Sequence, residues 1–479
     1  MNTWKWTSTA VSIFLMFGTR FLPPMFGLSP LGMQVAGIFL GTILLWLFVS
    51  VSWPSVLCIV ALMFTPLYNY SAALKASMGG WIVSFVLFSS MVTWVLGQTG
   101  FLRRVAVWFV TRPFTKKNPW LFIALLFLAP LVLGSFMSPV PVFIVFVPIA
   151  EQIFAELGYT KGETFPQVII LGILFFSSLS TITTPIAHTV PILAMSLYEH
   201  DMGVPIDFVS YTIFGVVSAL AVFLATMFIM KFIFRLETDR LKSLDTETLK
   251  SGITKMGKEE KYSLWVFAAV VAMWMLPGLI KGILPKLSGF ISGLGTPTPA
   301  MLGVAALCLI HVNGKPLMNF NAAISKAPWT AVMMVAATGI LGSSLTNEKV
   351  GLTTVFVNFL SPIISSMSPT FFVACVAVFT VMLTNFASNT VTVTLLYSIA
   401  LPLVYNGAIK GVSAAGLASV IGACACVALA TPPSTAHAAI AAGTGWLKTD
   451  LMLRYGLVLS AAAAVIIAVV GYPIAAAFM

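Results

Sequence analysis

The chain has 479 residues, of which 59% are hydrophobic and only 8% charged. A soluble domain carries about 25% charged residues, so soluble enzymes, nucleic-acid binders and disordered scaffolds are excluded and a polytopic membrane protein remains. The net charge of +11 is spread over loops and implies no nucleic-acid partner, because cytoplasmic loops of membrane proteins collect Lys and Arg.

A helix needs about 20 apolar residues to cross the bilayer. In chain order the candidate spans are 7–26, 31–50, 52–70, 79–100, 166–198, 208–234, 262–280, 297–313, 327–346, 412–445 and 452–477. The short apolar run after Lys5 has no small-residue cleavage site, so it reads as a first span and not as a signal peptide. The stretches 119–150 and 369–405 fit poorly as single spans, because small and polar residues interrupt each near its middle. The five cysteines all lie in apolar stretches and read as small core residues.

The two interrupted stretches align without gaps at an offset of 250, SFMSPVPVFIVFVPIA from Ser135 against NFASNTVTVTLLYSIA from Asn385. Trp81 pairs with Trp329, and TTPIAHT from Thr183 pairs with ATPPSTAHA from Ala430. Three matches in order at nearly one offset predict a duplication. The first repeat covers 1–235, a charged cytoplasmic linker 236–261, and the second repeat 262–479.

Charge predicts how the repeats are related. Between Phe101 and Trp120 lie Arg103, Arg104, Arg112, Lys116 and Lys117 with no acid, whereas the equivalent 348–368 holds only Glu348 and Lys349. The first loop is therefore expected inside and its counterpart outside, which inverts the halves, a common arrangement in secondary transporters. Counting through predicts an all-α fold of about eleven transmembrane helices plus two re-entrant hairpins. The hairpin at 119–150 lies on the cytoplasmic side and that at 369–405 on the external side. The expected location is the inner (plasma) membrane, with a cytoplasmic N-terminus and an external C-terminus.

Non-helical backbone at membrane depth is tolerated where it is buried in protein or lines a cavity. Four such places are predicted: the hairpin tips near Ser138 and Ser388, and the breaks near Thr183–Pro185 and Ala430–Pro433. Convergence of the four near the midplane would let freed carbonyls hold a cation and helix N-termini face an anion. All 14 acids fall in loops or at span ends, so no carboxylate is available at these breaks as a proton relay. Hydroxyls, amides and backbone dipoles suit an anion accompanied by a monovalent cation. The absence of clustered acids, histidines or a metal set argues against an enzyme.

The run Thr384-Asn385-Phe386-Ala387-Ser388-Asn389-Thr390 resembles the Ser-Asn-Thr signature of the divalent anion/sodium symporter family, and Ala430-Thr431-Pro432-Pro433 is similar to the segment that completes a site there. The resemblance implies a sodium site at Thr384, Ala387, Asn389 and Ala430, and an anion held by Ser388, Asn389, Thr390, Thr431 and Pro432. It also implies a homodimer in which a transport domain slides past a fixed scaffold, carrying a small di- or tricarboxylate with sodium. In the first half the signature reads Ser138-Pro139-Val140, with Gly134 and Met137 upstream, although Thr183, Thr184 and Pro185 keep the partner segment. Ser138, Thr184 and Pro185 are its expected contribution to the anion. Fewer sodium ions per cycle, an anion exchanger, or a sulfate- or sulfonate-type substrate are the readings this departure leaves open. His188 and His437 stand three or four residues past the two breaks. Either could supply positive charge to an anion when protonated, or serve as a neutral residue hydrogen-bonded to a neighbouring helix.

Overall fold

A computed structural model describes residues 3–25, 27–112, 118–244, 255–364 and 366–479. Lys116, Lys117 and the middle of the 236–261 linker lie outside the described residues. The chain runs through α1 (Thr3–Gly18), α2 (Pro30–Phe48), α3 (Trp53–Met63), α4 (Tyr70–Ala76), α5 (Trp81–Gly97), α6 (Phe101–Val110), α7 (Pro119–Gly134), α8 (Pro139–Glu156), α9 (Thr164–Leu179), α10 (Thr189–Met202) and α11 (Phe208–Phe228). Then follow α12 (Lys258–Ile280), α13 (Pro285–Gly293), α14 (Thr298–Leu309), a small β1–β2 hairpin (His311–Val312, Lys315–Pro316), α15 (Phe320–Ser325), α16 (Trp329–Leu345), α17 (Leu352–Ile364), α18 (Pro369–Thr384), α19 (Asn389–Tyr405), α20 (Ala414–Cys424), α21 (Ala436–Gly443), α22 (Thr449–Ile466) and α23 (Tyr472–Phe478).

The series α4 to α11 recurs in order as α15 to α22. α5 and α16 each have 17 residues, and α7 and α18 each have 16. Both α11 and α22 run into a five-residue π turn. The starts of α7 and α18 are fixed by the same chemistry. Asn118 and Ser368 accept hydrogen bonds from the first free backbone N–H groups, and a proline follows at the first helical position.

Among the described residues six helices are long and apolar enough to cross a membrane, or nine if each of three bent pairs is one span. The expected spans 166–198 and 412–445 are instead broken. α9 gives way at Ser180 to a short 3-10 turn before α10, and α20 to irregular chain before α21. The expected span 52–70 shortens to the 11 residues of α3, because Phe64–Asn69 leaves the helix and α4 bends by 50° into α5. The span 297–313 ends at Leu309, where Asn313 and Gly314 at positive φ turn the β-hairpin. Stretches between the expected spans also contain helices, among them α6, α13, α15 and α17. In α6 the apolar residues Leu102, Ala106, Val107 and Val110 are buried, while Arg104 forms a bidentate pair with Glu260 of α12 at 3.0 Å.

The two halves interlock. α10 of the first half packs on α19 and α20, and its counterpart α21 packs on α8 and α9. α9 forms the centre, buried over its whole width, as an evenly apolar helix must be. The outer surface is the reverse of a soluble protein's, with Trp265, Leu224 and Phe379 about seven-tenths exposed, as lipid contact requires.

Candidate substrate and cation site

Each hairpin turns between its helices over four residues, Ser135–Ser138 and Asn385–Ser388. Each tip is tied to the broken helix of its own half by one equivalent bond. Thr184 Oγ1 donates to the carbonyl of Ser135, and Thr431 Oγ1 donates to the carbonyl of Asn385. The hydroxyl protons of both expected anion ligands are thus committed to hairpin backbone. Thr183 is buried and donates to Ser180 O at 2.6 Å, and Pro185 is buried beside it.

In the second half the tip has a polar interior. Thr384 Oγ1 lies 2.9 Å from Asn389 Oδ1 and 2.7 Å from Ala425 O. A hydroxyl has one proton, so it satisfies only one of these two acceptors at a time and three oxygens crowd one spot. Ala387 and Ala430 are buried nearby in sequence, and Ala430 N–H donates to Asn385 Oδ1 at 2.8 Å. The residue that sequence reasoning missed is Asn385. Its amide nitrogen shares two protons among Val381 O, Val427 O and Ser460 Oγ at 2.8, 3.1 and 3.3 Å, and its oxygen accepts from Leu429 and Ala430 N–H. This fully buried side chain shapes the break in which Ala430 and Thr431 sit. The signal was present, because an amide inside an apolar run must find partners in hydrocarbon.

Ser388 precedes α19, and it, Asn389 and Thr390 are half-buried. The hydroxyls of Ser388 and Thr390 donate no hydrogen bond among the described residues. The first N–H groups of α19 have no intrahelical partner either, so this end presents several donors to an anion. Pro432 opens the 3-10 turn after Thr431 and is half-buried.

The first half differs at each corresponding point. A Cβ on Gly134 would lie 2.0 Å from Ser180 Oγ and 2.7 Å from Ser180 Cβ, so protein fills the position where the second half carries the Thr384 side chain. Ser135 stands in place of Asn385 and donates only to Leu131 O. Pro139 and Pro141 remove two N–H groups from the start of α8. Ser138 is exposed and lines a cavity of about 180 Å³ between the hairpin tip, the start of α10 and α5.

The histidines are not structural equivalents. His188 is the N-cap of α10, the place that Thr435 holds in α21. His437 is the second residue of α21, buried, with Nε2 2.7 Å from Ser178 Oγ and Nδ1 without a hydrogen-bond partner. It ties α21 to α9.

This constellation has known relatives. The family model described as citrate transporter (CitMHS) matches residues 39–422. A sodium-dependent dicarboxylate transporter, SdcS, of Staphylococcus saprophyticus is 25% identical over 71% of this chain and 66% of its own length. An uncharacterised transporter of Haemophilus influenzae is 23% identical over 74% of this chain and 73% of its own. The YdaH transporter of Alcanivorax borkumensis, whose crystal structure is described as having an unusual topology, shares the fold with a TM-score of 0.58 at 15% identity. That alignment covers 91% of this chain and 98% of the other. The family match runs through most of the sequence, including Ser388–Thr390, and the chain belongs to the citrate transporter family of membrane transport proteins.

Proposed function

We propose that this transporter carries a small di- or tricarboxylate across the inner membrane together with sodium. Thr384 and Asn389 with the backbone at Ala387 and Ala430 would hold the cation. Ser388, Asn389 and Thr390, joined by Ser138, would donate to the anion, while Thr431, Pro432, Thr184 and Pro185, whose side chains have no free proton, would shape the space around it. The observation that carries the reading is the oxygen cluster at Thr384, where one proton faces two acceptors beside a helix N-terminus rich in free donors. A cation there would relieve the oxygen–oxygen contact and draw the anion to the adjacent donors, so each ligand would strengthen the other. Two inverted repeats, a cytoplasmic N-terminus, an external C-terminus and elevator-like movement within a homodimer complete the proposal.

The test is thermal unfolding of the purified protein with a panel of dianions and citrate, each in sodium and in choline. Ligand at 100 times its dissociation constant stabilises by about 2.7 kcal/mol, which separates binders from non-binders. A shift with one carboxylate in sodium only is expected; no shift with any carboxylate refutes the substrate class.

A second reading, an exchanger or a sulfate- or sulfonate-type carrier with reduced or no sodium coupling, is favoured by the first half, where Ser180 fills the space at Gly134. Equal shifts in both salts, with uptake into liposomes that depends on internal counter-substrate, would select it.

A further inference from the structure

His188 has a role that neither the signature nor its duplication accounts for. As N-cap of α10 its Nδ1 accepts a hydrogen bond from Val190 N–H at 3.3 Å. That lone pair is available only in the neutral ring protonated at Nε2, so capping fixes the tautomer. Nε2–H makes no hydrogen bond among the described residues, and the ring lines the cavity beside Ser138 and Thr189. Across that cavity stand Ser89, Ser90 and Thr93 of α5. Their hydroxyls donate to carbonyls of their own helix, so that wall offers acceptors. Among the described residues the lining contains no Lys, Arg, Asp or Glu. The donors for an anion are therefore His188 Nε2–H and the Ser138 and Thr189 hydroxyls, on the side where Pro139 and Val140 replace the Asn and Thr of the other half.

We propose that His188 is a specificity-determining residue whose neutral Nε2–H donates to a carboxylate oxygen of the transported anion in this cavity, doing in the first half what Asn389 does in the second. The proposal rests on the anion-transport reading above. A neutral donor binds without adding charge, so it orients the anion's second carboxylate while the cation site of the other half provides the charge. The acceptors of α5 opposite fit a hydroxyl or a protonated carboxyl on the same anion, which favours hydroxylated di- and tricarboxylates over plain ones.

Two substitutions separate the two jobs of the ring. His188→Asn keeps an oxygen where Nδ1 caps α10, since Asn is among the preferred N-cap residues, but its short side chain withdraws the cavity donor. His188→Gln carries an amide N–H near the position of Nε2 and gives up the cap. Each is titrated with succinate, malate and citrate in sodium, following unfolding temperature, and each is also melted without ligand. His188→Asn is expected to melt as wild type without ligand while its apparent affinity falls roughly 10-fold or more, as for a lost hydrogen bond to a charged group, with malate and citrate losing more than succinate. His188→Gln is expected to melt lower yet keep affinity within a few-fold. Wild-type affinity in His188→Asn overturns the proposal, as does loss of affinity in both variants that only follows their ligand-free melting temperatures. A wild-type protein that responds to none of the three carboxylates overturns the anion reading itself, and this proposal with it.

Discussion

Asn385 is the residue on which the second-half site depends, and Asn385→Ala is the sharpest test of that statement. The side chain is fully buried, with its two amide protons shared among three acceptors and its oxygen accepting from two N–H groups. Truncation frees the carbonyl of Val427, while that of Val381 keeps the backbone N–H of residue 385 at 3.3 Å, and carbonyls tolerate one lost partner more readily than an N–H does. The costly orphans are the N–H groups of Leu429 and Ala430, both in fully buried residues. At about 1–3 kcal/mol for each unsatisfied buried donor the loss is about 2–6 kcal/mol. The lower part of that range holds if the 425–431 segment relaxes toward new partners, as interhelical polar contacts in membranes often do. Asn385→Asp serves as the companion, because it keeps both acceptor bonds to Leu429 and Ala430 while turning an oxygen toward the carbonyls of Val381 and Val427. The assay is thermal unfolding of purified protein without ligand, followed by the shift on adding sodium. Asn385→Ala is expected to melt several degrees lower and to lose the sodium shift, since the backbone at Ala430 is no longer held. A melting curve and a sodium shift both indistinguishable from wild type would refute the claim that this amide organises the break.

Two further outcomes test the parts separately. Thr384→Val replaces the hydroxyl with a methyl of similar shape and, by removing the buried bond to Ala425 O, is expected to lower ligand-free stability by about 1 kcal/mol. It should abolish the sodium-dependent part of anion stabilisation, read from titrations in sodium and in choline. Gly215→Ala would place a Cβ 2.1 Å from Ile182 O and 2.7 Å from Thr183 O. Overpacking of this kind costs about 1–3 kcal/mol. The variant should melt lower and bind the anion more weakly, because α11 then presses on the break that carries Thr183–Pro185; wild-type melting would show that this contact is loose.

Much of the site was legible because it sits where the chain breaks its own rules. The offset of 250 between Ser135 and Asn385, and the prolines after Thr184 and Thr431, mark irregular backbone inside apolar runs, and the tips and breaks lie there. What periodicity and charge could not show were elements whose signals conflict. In α6 the arginines that report orientation also read as loop, although Leu102, Ala106 and Val110 repeat at helical spacing. The helix buries that apolar face while Arg104 pairs with Glu260, 156 residues away. Asn385 was hidden by the signature beside it. Its partners lie on other segments, at Val427, Leu429 and Ser460, so only the folded chain shows what it joins. The pairing of the two histidines looked symmetrical in sequence, but one residue caps a helix and the other is buried inside one.

The two halves keep the same joint and differ in what it encloses. Thr184 and Thr431 make the same bond to their tips. The second half surrounds that joint with Thr384, Asn385 and Asn389, whereas the first packs Ser180 against Gly134. If the second half alone holds a cation, one sodium ion accompanies each dianion and a net charge of −1 crosses the membrane per cycle. Moving that charge against 100 mV costs about 2.3 kcal/mol, a factor of roughly 50 in the accumulation ratio. In liposomes with a sodium gradient and a potential set by potassium and valinomycin, succinate at pH 7.5, where both carboxylates are ionised, should accumulate more when the inside is positive and less when it is negative. Accumulation favoured by an inside-negative potential would require at least three cations per dianion. The packed first half would then have to open a site that Ser180 fills in this conformation, and the single-cation account would be wrong.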